Sequence, residues 1–226
     1  MIDSSIESHF SIYQSGLVLF YCFGYIFIAS LCYNTDKFQK GADTMKNMTV
    51  KRTAFIGLMA ALVFVTSKFL QIPIPTAIDN TRLHMGNVMC LLSGLLLGGI
   101  PGGLAAGIGS VIFDLLDPQY ITSAPFTFLF KFCMAWICGL IAHHGGQFRK
   151  GRAAIGAITG ALSYVVLYLL KTYIENKILG YELETILITL SQKGITSLAN
   201  AVIAAAISIP LAISLRPALK RFQLLP

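Results

Sequence analysis

Seven long apolar runs, separated by short polar segments, make up most of the chain. An α-helix needs about 20 mainly apolar residues to cross the hydrocarbon core of a bilayer, and most of these runs approach or reach that length. The third and fourth runs are shorter, so we expect those helices to tilt or to end early. Pro and Gly residues punctuate the runs, and the pattern predicts an all-α integral membrane protein. The runs are Tyr13–Tyr33, Thr53–Leu70, His84–Ile100, Gly103–Leu116, Ala124–Ala142, Ala153–Leu170 and Thr189–Leu215.

The first run stands apart from the other six. A charged linker, residues 34–52, follows it, and Met45 and Met48 lie just before the basic start of the second run. We therefore divide the chain into an N-terminal extension, 1–44, with one candidate transmembrane helix, and a six-span membrane domain, 45–226. The extension is either an additional helix or an over-long gene start. A signal peptide is not favoured, because the run lacks a basic n-region and a small-residue cleavage site.

Composition supports a membrane protein and argues against nucleic-acid binding. The chain is 55% hydrophobic and 12% charged, whereas a soluble globular protein carries about 25% charged residues. The net charge is +7, but Lys and Arg occur in short clusters between apolar runs, as they do in cytoplasmic loops. The five cysteines lie in apolar runs without metal-ligand spacing, so we expect packing residues and predict no metal and no cofactor.

The distribution of basic residues predicts the orientation. If the seven runs cross alternately, one side of the membrane collects most of the Lys and Arg residues in the loops, and that side is the cytoplasm. The N-terminus is then outside and the C-terminus is cytoplasmic. The basic residues on the predicted cytoplasmic side are Lys37, Lys40, Lys46, Lys51, Arg52, Arg149, Lys150, Arg152, Arg216, Lys220 and Arg221, against Arg82, Lys171 and Lys177 outside.

Polar residues inside or beside the spans cluster in the outer half of the membrane. Charge within a bilayer is costly and therefore marks a functional site by default. We interpret the layer as a solute-binding pocket, with aromatic residues of the Lys131 helix among its polar groups. These aromatic residues are Phe126, Phe128, Phe130, Phe132 and Trp136. Each residue also has a structural alternative: an Asp114–Lys131 ion pair, interhelical hydrogen bonds for the Asn residues, an interfacial His, and snorkelling for Lys68. The predicted substrate-binding residues are Arg82, His84, Asn87, Asp114, Lys131, Lys193 and Asn200.

A pair of small residues on the second run suggests a second kind of surface. Gly57 and Ala61 are four residues apart and therefore lie on one helix face. Small residues at this spacing allow two helix backbones to approach closely. A partner-docking surface and ordinary packing both remain open for this pair.

The middle of the chain resembles a known family of transporter subunits. The segments Arg82–Gly99, Pro101–Ser110, Asp114–Leu116 and Ser123–Phe132 look like the S component of energy-coupling factor (ECF) transporters, and are most similar to the riboflavin-type group. The likeness covers about residues 45–221, and the Gly-Pro turn between two short runs is its most specific part. The extra N-terminal run departs from the family pattern.

The resemblance implies a function, a fold and partners. S components are six-helix membrane proteins that bind a vitamin or related micronutrient near the outer face. They dock through small residues on their first helix to a transmembrane T component, and two cytosolic ATPases power uptake. By position, Gly57 and Ala61 match that docking motif, with Gly in place of the first Ala. The solute stays open among riboflavin, pantothenate, pyridoxine, a pyrimidine precursor and cobalamin.

Two other functional classes compete with this interpretation. A membrane enzyme would need convergent nucleophile, base or metal groups, but Asp114 and Asp117 form only a lone Asp-x-x-Asp, far by topology from His143 and His144. The chain has no phosphate loop with which to hydrolyse ATP. A self-sufficient carrier often shows an internal repeat, and none is visible here. We therefore expect a solute-binding subunit and not an enzyme.

Overall fold

The computed structural model describes residues 50–75, 80–118, 120–146 and 148–221. Within these ranges the chain forms six α-helices, one two-stranded hairpin, and short 3₁₀ turns at Ile121–Ser123 and His144–Gly146. The predicted first span and the extension, 1–44, lie outside the described residues. The helices are α1 (Val50–Phe69), α2 (Gly86–Leu97), α3 (Gly99–Leu115), α4 (Ala124–Ala142), α5 (Lys150–Ile178) and α6 (Leu183–Arg221), and the strands are β1 (Gln71–Pro75) and β2 (Asn80–His84).

Four of these helices, α1, α4, α5 and α6, are long and apolar enough to cross a membrane. The other two are apolar but short: α2 has 12 residues and α3 has 17, or about 18 and 26 Å at 1.5 Å per residue. The expectation that the third and fourth runs are short is therefore confirmed. The protein is a helical membrane protein, as its apolar runs predict.

The turn between α2 and α3 is tighter than the sequence suggests. We expected the whole segment from Gly98 to Gly103 to form a turn, but only Gly98 leaves the helical region, with φ at 83°. Helix α3 already begins at Gly99. Pro101 is tolerated in its first turn, because the N–H group that proline lacks would have no helical partner at that position. A side chain at Gly102 would come within 2.7 Å of the α2 backbone, so this glycine permits the two helices to pack closely.

The last two helices are longer than their apolar runs. Helix α5 continues past Leu170 to Ile178, and α6 begins at Leu183. The outer loop expected between the last two runs, which contains Lys171 and Lys177, is therefore reduced to a few residues around Gly180. An ion pair of 2.8 Å between Lys171 and Glu175 spans one helical turn and supports this extension, as such pairs do on helix surfaces.

The hairpin β1–β2 replaces what the sequence suggested was a simple loop. Its strands are antiparallel, with Gln71 opposite His84 and Ile72 opposite Leu83. His84, which we expected to begin a span, instead ends β2. The prolines of β1 disguise the strand in the sequence, since Pro is confined to edge strands and strand ends. We call the end of the bundle that carries this hairpin the hairpin end.

A buried arginine joins three helices at the opposite end of the bundle. Arg216 lies inside α6 with only 7% of its surface exposed, although the sequence placed it in a terminal tail. Its Nη1 lies 3.3 Å from the carbonyl oxygen of Leu95 and 2.9 Å from Nε2 of His143. Burial, with Arg216 nearby, lowers the pKa of His143 to about 4. His143 is therefore neutral and accepts the Arg216 hydrogen bond.

Candidate solute-binding site

A cavity of about 150 Å³ lies at the hairpin end, between the helices and the hairpin. Six of the seven predicted substrate-binding residues line it. The seventh, Asn87, does not line it but accepts a hydrogen bond from Lys131, which does. Lys68, which the sequence placed in the same layer, and Gln192, next to Lys193 in the chain, are exposed and do not line the cavity. The lining residues are Ser67, Arg82, His84, Ser110, Phe113, Asp114, Tyr120, Ser123, Phe126, Thr127, Phe130, Lys131, Tyr164, Tyr168, Lys171, Thr172, Glu175, Lys193, Ser197 and Asn200.

Lys131 is the most deeply buried charge of the cavity, with 2% of its surface exposed. It lies about two turns into α4, and its ammonium donates a hydrogen bond to Oδ1 of Asn87 at the start of α2. The ammonium also lies 4.0 Å from the centre of the Tyr164 ring, a favourable position for a cation. The first turn of α2 therefore lies level with the second turn of α4. Helix α2 begins farther from the hairpin end than α4 does, and the hairpin covers the space above the start of α2.

Asp114 lies near the end of α3 and is 6% exposed. Thr127, one turn before Lys131 on α4, hydrogen-bonds its side chain. The ion pairs Arg82–Asp117 and Lys171–Glu175 lie beside the cavity, but within the described residues neither Asp114 nor Lys131 has an ion pair closer than 4.0 Å. The structural ion pair left open by the sequence is therefore not formed; each of the two charges has a neutral partner instead.

Arg82 fastens the hairpin to the connection between α3 and α4. Its guanidinium lies 3.0 Å from Oδ2 of Asp117 and 3.3 Å from the centre of the Tyr120 ring. It also donates a hydrogen bond of 3.2 Å to Oε1 of Gln71 on the neighbouring strand. Arg82 lines the cavity, but most of its interactions hold the roof in place.

Asn200 fastens the same strand to α6. Its Nδ2 donates to the carbonyl oxygen of Arg82 at 2.7 Å, and its Oδ1 accepts the N–H of His84 at 3.0 Å. The side-chain amide thus pairs with β2 as another strand would. The sequence offered Asn200 as a solute contact or as interhelical glue, and the structure gives it a hairpin partner.

His84 presents a neutral imidazole to the cavity. Burial, together with the nearby charges of Lys131 and Arg82, lowers the pKa of His84 well below its ordinary value. Its Nδ1 is buried and has no hydrogen-bond partner among the described residues. This nitrogen can therefore accept or donate one hydrogen bond to a bound molecule, depending on the tautomer.

One wall of the cavity was not anticipated from the sequence. It is a stripe along α5 whose members recur at helical spacing of three or four residues. The rings of Tyr164 and Tyr168 stack with centroids 5.9 Å apart, and Lys171 donates a 3.0 Å hydrogen bond to Ser123. The three- or four-residue spacing of these side chains could have indicated a common helix face in the sequence. It was overlooked because tyrosines count as apolar and therefore merge into the apolar run. The stripe consists of Tyr164, Tyr168, Lys171, Thr172 and Glu175.

Lys193 approaches the α5 stripe from α6. It is 7% exposed, and its ammonium lies 5.9 Å from the centre of the Tyr168 ring. Each of the four cations that line the cavity thus lies near an aromatic ring, the others being Arg82 by Tyr120, Lys131 by Tyr164 and Lys171 by Phe126. The cavity is therefore a polar pocket with aromatic side chains in its walls.

Gly57 and Ala61 do not line this cavity and lie on a different kind of surface. Both are exposed on α1, while Phe55, Met59 and Val63 on the same helix are buried in the bundle. A side chain placed at Gly57 would meet no atom of the described chain within 4 Å. The pair therefore forms an outward-facing surface of small residues that no other described helix covers.

Comparison with known proteins agrees with the resemblance drawn from the sequence. Residues 47–217 match the family model described as ECF-type riboflavin transporter, S component. The chain is also similar to an uncharacterized protein in a gap 3' region of Pyrococcus woesei, with 31% identity over 112 residues, or 50% of this chain and 72% of that protein.

Proposed function

The chain belongs to the family of ECF-type riboflavin transporter S components, and from this premise we propose that it captures a vitamin-like solute for an ATP-driven ECF importer. It is a substrate-binding membrane subunit and not an enzyme. The observation that carries the proposal is the cavity at the hairpin end, which the buried side chains of Lys131 and Asp114 both line. Buried charges are costly unless they are compensated, and a bound polar solute supplies the compensation.

We propose the cavity at the hairpin end as the solute site, with Arg82, His84, Lys131, Lys193 and Asp114 around the solute. Asn87 contributes by holding the Lys131 ammonium in position, and Asn200 contributes by holding the hairpin over the cavity. Riboflavin is the first solute to test, because the matching family model names it. The cavity of about 150 Å³ has the volume that admits one benzene-sized ring. A three-ring flavin would therefore have to displace part of the hairpin or extend beyond the cavity.

We propose that Gly57 and Ala61 dock the subunit to a transmembrane T component, with two cytosolic ATPases completing the transporter. The exposure of both residues and the open space at Gly57 support this, since a partner helix needs a smooth face to approach. The orientation stays a proposal from loop charge: six crossings by α1–α6, the hairpin end outside, and the C-terminus in the cytoplasm of a cell whose plasma membrane holds the protein.

The direct test is to purify the chain alone and to identify any small molecule that it retains by mass spectrometry. Affinity for that molecule and for riboflavin is then measured by calorimetry. Stoichiometric binding by the chain alone supports the proposal. A chain that retains no molecule and binds no vitamin of the set named above is not a solute-binding subunit.

A further inference from the structure

The cavity contains two opposite charges that do not pair with each other. Lys131 and Asp114 are 2% and 6% exposed, both line the cavity, and neither takes part in an ion pair closer than 4.0 Å within the described ranges. Each has one neutral hydrogen-bond partner: Asn87 for the ammonium and Thr127 for the carboxylate. The chain thus places a positive and a negative group at one cavity without a direct ion pair between them.

Each of the two groups has hydrogen-bonding capacity left over. An ammonium has three N–H donors, and a carboxylate has two oxygens with about four acceptor positions. Asn87 accepts one N–H of Lys131, and the Tyr164 ring lies at 4.0 Å. Thr127 satisfies one position on Asp114. Leaving buried polar groups unsatisfied is unfavourable, so the remaining positions define what a bound molecule must offer.

We propose that the solute bridges the two groups and completes this split ion pair. One acceptor of the solute, an anionic or carbonyl oxygen, receives N–H donors from Lys131. One donor, an N–H or a cationic group, binds to Asp114. The inference rests on the proposed function and narrows its solute class to molecules that carry both groups.

The aromatic walls of the cavity indicate the shape of the solute that carries the donor and the acceptor. Phe113 and Phe130 are buried aromatic residues that line the cavity, and the Tyr164 ring faces it beside Lys131. Aromatic side chains favour stacking or edge contacts with flat rings, and the volume of about 150 Å³ suits one such ring. The solute therefore places a planar ring in the cavity, with its donor near Asp114 of α3 and its acceptor near Lys131 of α4.

The same geometry excludes two other solute classes. A wholly apolar solute would remove water from both charged groups without replacing its hydrogen bonds, and this desolvation is unfavourable. A purely anionic solute without a donor would compensate Lys131 but approach the Asp114 carboxylate with like charge. Selectivity then comes from the penalty on the wrong solute as much as from contacts to the right one.

The test uses the purified full chain, two single variants and their combination. The variants are Lys131→Met, Asp114→Asn and the double variant, with Lys177→Met as a control, because Lys177 is exposed and does not line the cavity. Mass spectrometry identifies the retained small molecule. Calorimetry measures affinity for that molecule, for riboflavin, for uracil, and for 1,3-dimethyluracil, which lacks the N–H donors of uracil. Thermal unfolding in detergent monitors the fold.

The proposal expects a retained molecule whose ring carries both a donor and an acceptor, and a weakening of at least about tenfold in each single variant. Uracil should bind more tightly than its dimethyl form, a comparison that needs no variant to fold. The inference is overturned if the retained molecule lacks either group, or if the single variants bind as tightly as the wild type. It is also overturned if the singles unfold and the double variant recovers both stability and binding, because the two residues would then serve each other. A wild-type chain that retains nothing and binds none of the probes overturns the proposed function as well.

Discussion

Replacing Asn200 by Ala should release the hairpin from α6. The substitution removes two hydrogen bonds, of 2.7 Å to the carbonyl of Arg82 and 3.0 Å from the N–H of His84. A hydrogen bond contributes about 0.5–1.5 kcal/mol net, so the pair stabilises the attached hairpin by about 1–3 kcal/mol. Since 1.4 kcal/mol corresponds to a factor of ten, we expect local opening of the hairpin to become about 5- to 150-fold more frequent.

Hydrogen–deuterium exchange with mass spectrometry measures this opening directly. Amides in the peptide that contains β2 should exchange faster by that factor, because exchange follows the population of locally open states, while amides in α2 and α4 should not change. Ser214→Ala is the matched control, since Ser214 is exposed on the same helix and bonds only to Leu211 of its own helix. Asn200→Asp should fall between the two, because it keeps the acceptor for His84 and loses the donor to Arg82. Unchanged exchange of β2 in Asn200→Ala would refute the role given to this residue.

Three further predictions concern the docking face, the orientation and the buried histidine. Gly57→Leu should abolish uptake in cells that contain the partner subunits and leave solute binding to the purified chain near the wild-type value, because a side chain at position 57 meets no other described residue; loss of binding together with uptake would show that the residue packs the fold. A cysteine introduced in Arg149–Arg152 should be shielded from an impermeant thiol reagent in intact cells, and one in Glu182–Glu184 should be labelled; the reverse result would invert the orientation. The folded-state pKa of His143 is lowered to about 4, mainly by burial and also by Arg216, so the buried neutral imidazole stabilises the protein fully above pH 6.5 and less as pH falls toward 4. The unfolding temperature of the wild type should therefore lose its advantage over His143→Gln across that range, and a constant difference would contradict the assignment.

The sequence predicted the helices well because long apolar runs leave few alternatives in a membrane. With no water in the bilayer core, backbone groups must be satisfied within the helix, so apolar length translates directly into helix. The ends were less accurate. Helix α5 runs on to Ile178 and α6 begins at Leu183, because helices continue beyond the hydrocarbon core wherever side-chain pairs such as Lys171–Glu175 support them.

The hairpin could not be predicted from the apolar pattern. It is short, lies outside the runs, and contains prolines that usually argue against a strand. Its attachment depends on Asn200, which is more than a hundred residues away in the chain. Contacts of that separation leave no local signal in one sequence.

The candidate site was predicted in outline because membrane depth sorts residues before any contact is known. Arg82, Asp114, Lys131 and Lys193 come from separate segments and all line one cavity, as their shared depth suggested. Depth alone does not give partners, so the absence of a direct Asp114–Lys131 pair could not be foreseen. Arg216 was misplaced for the related reason that a charge near the end of an apolar run looks like a tail residue, although its contacts with Leu95 and His143 bury it.

Reconstitution in liposomes tests the central claim most directly. The purified chain is reconstituted alone and together with an ECF T component and its two ATPases, and uptake of the retained solute is followed with and without ATP. The account predicts that the chain alone binds the solute but does not move it, and that uptake requires all four subunits and ATP. Uptake by the chain alone would contradict the account and identify a self-sufficient carrier.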